Sequence, residues 1–190
     1  MEILSEKDYQ VSRWDGGYTR QLFLYPPSGD YQKRDFQVRI SSAVIEREIS
    51  KFTKLPDVKR FLMMLRGKVK LDCGAGKIWE ISPCQVITFD GAQEITSYGT
   101  GTDMNLMLKG NVRGDMTYLE IEGGQEYRFE DLWAIEKRIV YVICGEAWIS
   151  GQKIQKDETA IINKEEKVNA IVNLKEETLK ICLFHVGCLI

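Results

Sequence analysis

Apolar and polar positions alternate in short bursts along this chain, and the most ordered burst occurs twice. Residues Arg60 to Leu71 form an apolar run, Phe61 to Leu65, that meets Gly67 and then alternates. The same shape returns 78 residues later, from Arg138 through Gly145 to Ile149. Each copy is followed by a second apolar stretch, Gln85 to Phe89 in one and Thr159 to Ile162 in the other. A duplicated β-unit accounts for the recurrence, and two copies are too few for a solenoid. Phe61 to Leu65 is apolar on both strand faces, the mark of a strand covered on both sides. After Gly67, Lys68, Lys70 and Asp72 take one face and Val69, Leu71 and Cys73 the other, the pattern of a strand with one wet side. A glycine at that change predicts a bend or bulge, with the strand passing between two sheets.

The remaining pattern is also that of strands. Residues 1–13 read as a leading strand or arm, and Trp14 to Thr19 as a tight turn on Gly16 and Gly17. Gln21 to Tyr25 is a strand stopped by Pro26-Pro27-Ser28-Gly29. Asp35 to Ser41 alternates, with Phe36, Val38 and Ile40 on one face and Gln37, Arg39 and Ser41 on the other. The strand is expected to continue over Ser42 to Ile49, and Lys51 to Lys59 to form a loop. Further strands are expected at Ile95 to Tyr98, Asp103 to Leu108, Tyr118 to Ile121, Glu126 to Phe129 and Thr178 to Val186, with at most one helical turn between Phe129 and Lys137. No segment sustains a 3.6-residue apolar period beyond about two turns. The fold class is therefore all-β, of the jelly-roll or small-barrel kind. The module boundary falls within Asn111 to Asp115, giving modules over 1–112 and 113–190, between which a strand exchange is allowed.

Composition narrows the function classes. A length of 190 residues suffices for a core without covalent staples. A net charge of −2 gives no pull toward nucleic acid or membrane. No apolar run approaches the roughly 20 residues of a membrane helix. The polar, acidic N-terminus lacks a signal-peptide core, and Cys73, Cys84, Cys144, Cys182 and Cys188 form no CxxC pair, so free thiols in the cytoplasm are expected. His185 is the single histidine, so a histidine-rich metal site cannot be assembled. It lies in phase with Leu179, Ile181 and Leu183, which reads as a core-edge position rather than a catalytic one. No metal and no cofactor are expected. Glu46/Glu48 and Glu165/Glu166 read as solvated pairs, and Tyr118, Tyr127 and Trp133 as packing aromatics.

One constellation could carry chemistry. Arg39 and Ser41 share a strand face, Arg60 opens the strand entering the glycine bend, and Asp103 and Asn105 share a face of a later strand. Two arginines, an acid and an amide suit a small carboxylate, because the guanidinium fork binds it in bidentate fashion. The same spacing also fits a set of surface salt bridges.

Five segments in order add a resemblance: Trp14 to Thr19, Asp35 to Ala43, Phe52 to Arg60, Phe89 to Gly91 and Asp103 to Met107. Together they resemble the HutD/Ves family, from about Trp14 to Gly110. Two positions depart from the usual family pattern: Asp15 leads straight into Gly16-Gly17 with no intervening asparagine, and Met104 stands where phenylalanine is usual. The resemblance implies a bicupin, two cupin-like β-barrels (each a jelly roll or double-stranded β-helix) in one chain. It implies metal-independent binding of a small anionic metabolite, such as an N-formylglutamate-like carboxylate, in sensing or regulation of histidine utilisation. No enzymatic activity is firmly assigned to the family. Carried onto this chain, Arg39 and Arg60 would hold carboxylate oxygens, Ser41 and Asn105 would give neutral hydrogen bonds, Asp103 would orient an arginine, and Trp14 and Thr19 would complete the wall. The alternatives are a metal-independent cupin isomerase or hydrolase using Asp or Glu, and a protein-interaction module. A homodimer is compatible with exposed sheet edges.

Overall fold

A computed structural model describes residues 1–74, 76–130 and 134–187. Every regular element among them is a strand, apart from one 3-10 turn at Glu6–Asp8. The strands are β1 Glu2–Leu4, β2 Gln10–Trp14, β3 Gly17–Tyr25, β4 Val38–Ile45, β5 Ile49–Lys51, β6 Val58–Gly67, β7 Val69–Asp72, β8 Ile78–Ile81, β9 Val86–Asp90, β10 Thr96–Tyr98 and β11 Gly101–Lys109. They continue as β12 Arg113–Ile121, β13 Glu126–Arg128, β14 Lys137–Cys144, β15 Glu146–Ile149, β16 Gln152–Gln155, β17 Thr159–Asn163, β18 Ala170–Val172 and β19 Leu179–Gly187. No helix among the described residues is long and apolar enough to cross a membrane.

The strands gather into two compact units. The first, Gln10–Val112, has a six-stranded sheet ordered β2-β3-β4-β11-β6-β9 and a four-stranded sheet ordered β5-β10-β7-β8. The second is formed by Met1–Tyr9 with Arg113–Ile190. It has a five-stranded sheet ordered β1-β17-β14-β19-β12 and a four-stranded sheet ordered β13-β18-β15-β16. The leading strand is thus the edge of the second unit's larger sheet, with Ile3 opposite Ala160. In each unit the strands are hydrogen-bonded as two open sheets, so the sheets themselves do not close into a barrel.

The duplicated pattern has a direct structural counterpart. The chain leaves the six-stranded sheet at the end of β6 and enters the four-stranded sheet as β7, turning at Gly67 with φ +82°. In the second unit β14 passes to β15 at Gly145 with φ +89°. Positive φ is costly for residues with a Cβ. At Gly67 a Cβ would also lie 2.4 Å from the Thr100 carbonyl oxygen. The pairing of β6 with β11 skips Leu65, and that of β14 with β19 skips Ile143, so a bulge precedes the glycine at the same place in both copies.

The inner faces hold the cores. In the first unit Ile45, Leu62, Met64, Val69, Leu71, Ile81, Phe89 and Ile95 form one buried cluster. In the second, Val140, Val142, Ala160, Ile162, Leu179, Ile181 and Leu183 belong to another. Two expectations need correction. The strand expected over Ser42 to Ile49 breaks at Glu46 to Glu48, because the Gly16 carbonyl takes the Glu46 and Arg47 N–H groups and the chain changes sheets. β16 and β18 were not anticipated. Cys73, Cys84 and Cys144 are free thiols; Cys188 and Trp133 lie outside the described residues, as does the middle of the proposed helical turn.

Candidate functional site

The central strands of the six-stranded sheet determine the site by register. Met107 of β11 faces Arg39 of β4 on one side and Arg60 of β6 on the other. Asn105 lies opposite Ser41 and Leu62 in the next row, and Asp103 opposite Ala43 and Met64 in the row beyond. Residues paired across strands share a face. The polar positions of β4 and β11 therefore form one surface. The two arginine backbones stand two strand spacings apart, about 10 Å. On the opposite face Ile40, Met63, Met104 and Leu106 are also fully buried. The alternation in β4 accordingly separates an apolar buried face from a polar cavity wall, not from bulk water.

That wall bounds a cavity of about 380 Å³. Trp14, Thr19, Arg39, Ser41, Arg60, Asp103 and Asn105 all line it. Arg39 and Arg60 are only 4% and 6% exposed. Both are seated on aromatic rings: the Arg39 guanidinium lies 3.9 Å from the Tyr31 centroid, and that of Arg60 lies 5.0 Å from Phe52 and 5.1 Å from Phe89. Such stacking retains a buried cation without consuming its donors. Arg39 Nε donates to Gln21 Oε1 at 3.1 Å and Nη1 to Ser41 Oγ at 3.1 Å. Arg60 Nη1 reaches the Thr53 carbonyl at 3.4 Å, while its Nε is buried without a partner. Asn105 Oδ1 is likewise buried and unpartnered.

Burial sets the electrostatics. Desolvation lowers both guanidinium groups, Arg60 to about 10, which leaves them charged at neutral pH. Asp103 moves the other way, to about 7, because burial outweighs the Ala43 N–H and the two arginines that favour its anion. Its Oδ1 accepts the Ala43 N–H at 3.2 Å, so this carboxyl is anchored to the backbone and acts on the arginines through space. Tyr31, Phe52 and Phe89, the rings that seat the arginines, were not foreseen as site residues. The available signal was an isolated aromatic in each of two polar loops. Among the described residues no group of three or more His, Cys, Asp or Glu side chains is placed to hold a metal ion.

Comparison with known proteins fits this architecture. The chain is 29% identical over 166 residues to protein Ves of Cronobacter sakazakii, covering 80% of this chain and 88% of that protein. The structure of HutD from Pseudomonas fluorescens SBW25 superimposes with a TM-score of 0.77 at 18% identity, over 98% of this chain and 97% of that one. The bacterial pirin YhhW of Escherichia coli, solved with nickel(II), gives a TM-score of 0.70 at 13% identity over 97% of both chains. At such identities the structural likeness concerns the fold alone, which is that of the cupins. The HutD family model matches residues 6–180, and the chain belongs to the HutD family.

Proposed function

We propose that the Gln10–Val112 unit binds a small anionic metabolite in its polar cavity. One observation carries this reading: two buried guanidinium groups share a sheet face and bracket an unpartnered amide oxygen. Burying two cations costs several kcal/mol unless an anion compensates them. Asp103 is poorly suited to compensate, since its own burial favours the protonated form. A ligand carboxylate on the arginines, with a ligand N–H given to Asn105 Oδ1, satisfies all three groups. An N-acylated amino acid of the N-formylglutamate kind has this chemistry. In this reading the chain is a bicupin of two cupin modules, acts in the cytoplasm, and reports on such a metabolite in histidine utilisation rather than converting it. Calorimetry with N-acylated amino acids on the wild type and Arg39→Ala tests it. Saturable binding lost in the variant supports the site; equal binding by both rejects it.

A second reading rests on Asp103. A carboxyl raised to about 7 inside a cleft is the equipment of a general acid–base catalyst, as an isomerase or hydrolase requires. Turnover of N-acylated amino acids or sugars, abolished in Asp103→Asn while binding persists, would select the enzyme.

A further inference from the structure

The second unit contains a polar row at the place where the first has its arginines. Asp115 of β12 lies opposite His185 of β19, which lies opposite Arg138 of β14. His185 follows Met107 by 78 residues, the offset that separates Arg138 from Arg60. The aromatic seat is repeated: the Arg138 guanidinium stands 5.0 Å from the Phe129 ring centroid, as that of Arg60 stands over Phe52. The deeper rows are not repeated. Where the first unit has Asp103 and Asn105, the second has Ile181 and Leu183, both in its apolar core.

His185 is the second observation. Its side chain is 8% exposed, its Nδ1 lies 2.9 Å from Asp115 Oδ1, and its Nε2 is buried with no hydrogen-bond partner. A carboxylate on Nδ1 holds the proton there and leaves Nε2 as an acceptor. A buried acceptor without a donor costs about 1–3 kcal/mol. At the β14 end of the row Arg138 lines a cleft of about 300 Å³ with Phe129, Lys164, Glu166 and Lys167, and at the β12 end the Asp115 side chain is 40% exposed.

We infer that Asp115, His185 and Arg138 form a second ligand site, distinct from the cavity of the first unit, for a small carboxylate carrying an adjacent hydroxyl group. Arg138 takes the carboxylate, and the hydroxyl donates to His185 Nε2. Directly paired residues on adjacent strands are about 4.5–5.5 Å apart at Cα, which suits ligand groups borne on neighbouring atoms. Asp115 is a positioning residue that sets the tautomer.

The single histidine makes the test direct, because its imidazole nitrogen signals are unique in the NMR spectrum. Glycolate is titrated at neutral pH, with acetate as the probe lacking the hydroxyl. The expected result is a saturable shift of the His185 Nε2 signal with glycolate and at least tenfold weaker binding of acetate. The shift should vanish in Arg138→Gln and persist in Arg39→Ala. If Arg138→Gln does not fold, Asp115→Asn serves, and should weaken glycolate at least tenfold by releasing the tautomer. An unmoved Nε2 signal, equal response to acetate, loss of the shift in Arg39→Ala, or wild-type affinity in Asp115→Asn would overturn the site.

Discussion

Asp103 offers the sharpest test of how the first unit is balanced. Its carboxyl is 5% exposed and titrates at about 7, against 3.8 for the free group. About three units at 1.36 kcal/mol each give about 4 kcal/mol as the upper scale of the penalty for ionising it in the folded state. The sign follows from the two titrations. Below about pH 4 both folded and unfolded carboxyls are protonated and the penalty is absent. Between about pH 4 and 7 the folded state retains a proton that the unfolded state has lost, so stability falls as pH rises, and above about 7 the full penalty applies. Asp103→Asn removes the ionisation while keeping an oxygen for the Ala43 N–H. Urea unfolding of both proteins between about pH 4 and pH 8 should therefore show near-equal stability at the acid end. The variant should gain steadily on the wild type, by about 2–4 kcal/mol at the alkaline end. A stability difference that stays flat with pH, or an Asn variant less stable than the wild type at pH 8, would refute the assignment.

Three other outcomes follow from the same geometry. Gly67→Ala combines positive φ with a Cβ 2.4 Å from a carbonyl oxygen, whereas Gly74 has φ +79° and nothing within 4 Å. The first should cost more than about 2 kcal/mol and the second about 1 kcal/mol in thermal or urea unfolding. Tyr31→Ala should weaken anion binding to the first unit roughly three- to thirtyfold by removing the ring beneath Arg39, while Tyr31→Phe should bind as wild type, measured by calorimetry. Leu62→Ala empties a fully buried position beside the site and should destabilise by about 2–5 kcal/mol, read as a shift of the urea midpoint at unchanged slope.

What the sequence revealed follows the physics of each signal. The all-β class and the glycine bends were legible because period-two alternation and a pattern change at Gly67 and Gly145 are local signals of backbone geometry. β16 and β18 were missed because they are short: β16 buries one residue, Ile154, among polar neighbours, and β18 is three residues long. The break at Glu46 was invisible because its cause is a carbonyl 30 residues earlier, at Gly16. For the site, Arg39, Ser41, Asp103 and Asn105 could be grouped by spacing within β4 and β11. Whether their face met solvent or an interior depended on the second sheet, which alternation does not encode. The aromatic seats were hidden for a related reason. Tyr31 and Phe52 come from loops, and a loop ring has no period to disclose its direction.

The comparison of the two units shows how one backbone serves different interiors. The bulge and the positive-φ glycine recur at the same offset, so each larger sheet presents the same row next to the same bend. Those features are enforced by backbone sterics and tolerate almost any inward side chain. The side chains decide the rest. Ile181 and Leu183 fill the second unit's interior, each contributing about 1.5–3 kcal/mol by burial. At the matching positions Asp103 and Asn105 forgo that gain and add the cost of a buried carboxyl and an unpartnered amide oxygen. A sacrifice of this size, on the strand between two buried arginines and without a counterpart at the matching positions of the sister unit, is what the proposed binding site requires and what core packing alone would not select. On β14 and β19 of the second unit, the row holding Arg138 and His185 is polar, while Ile181 and Leu183 in the rows beneath it belong to the apolar core.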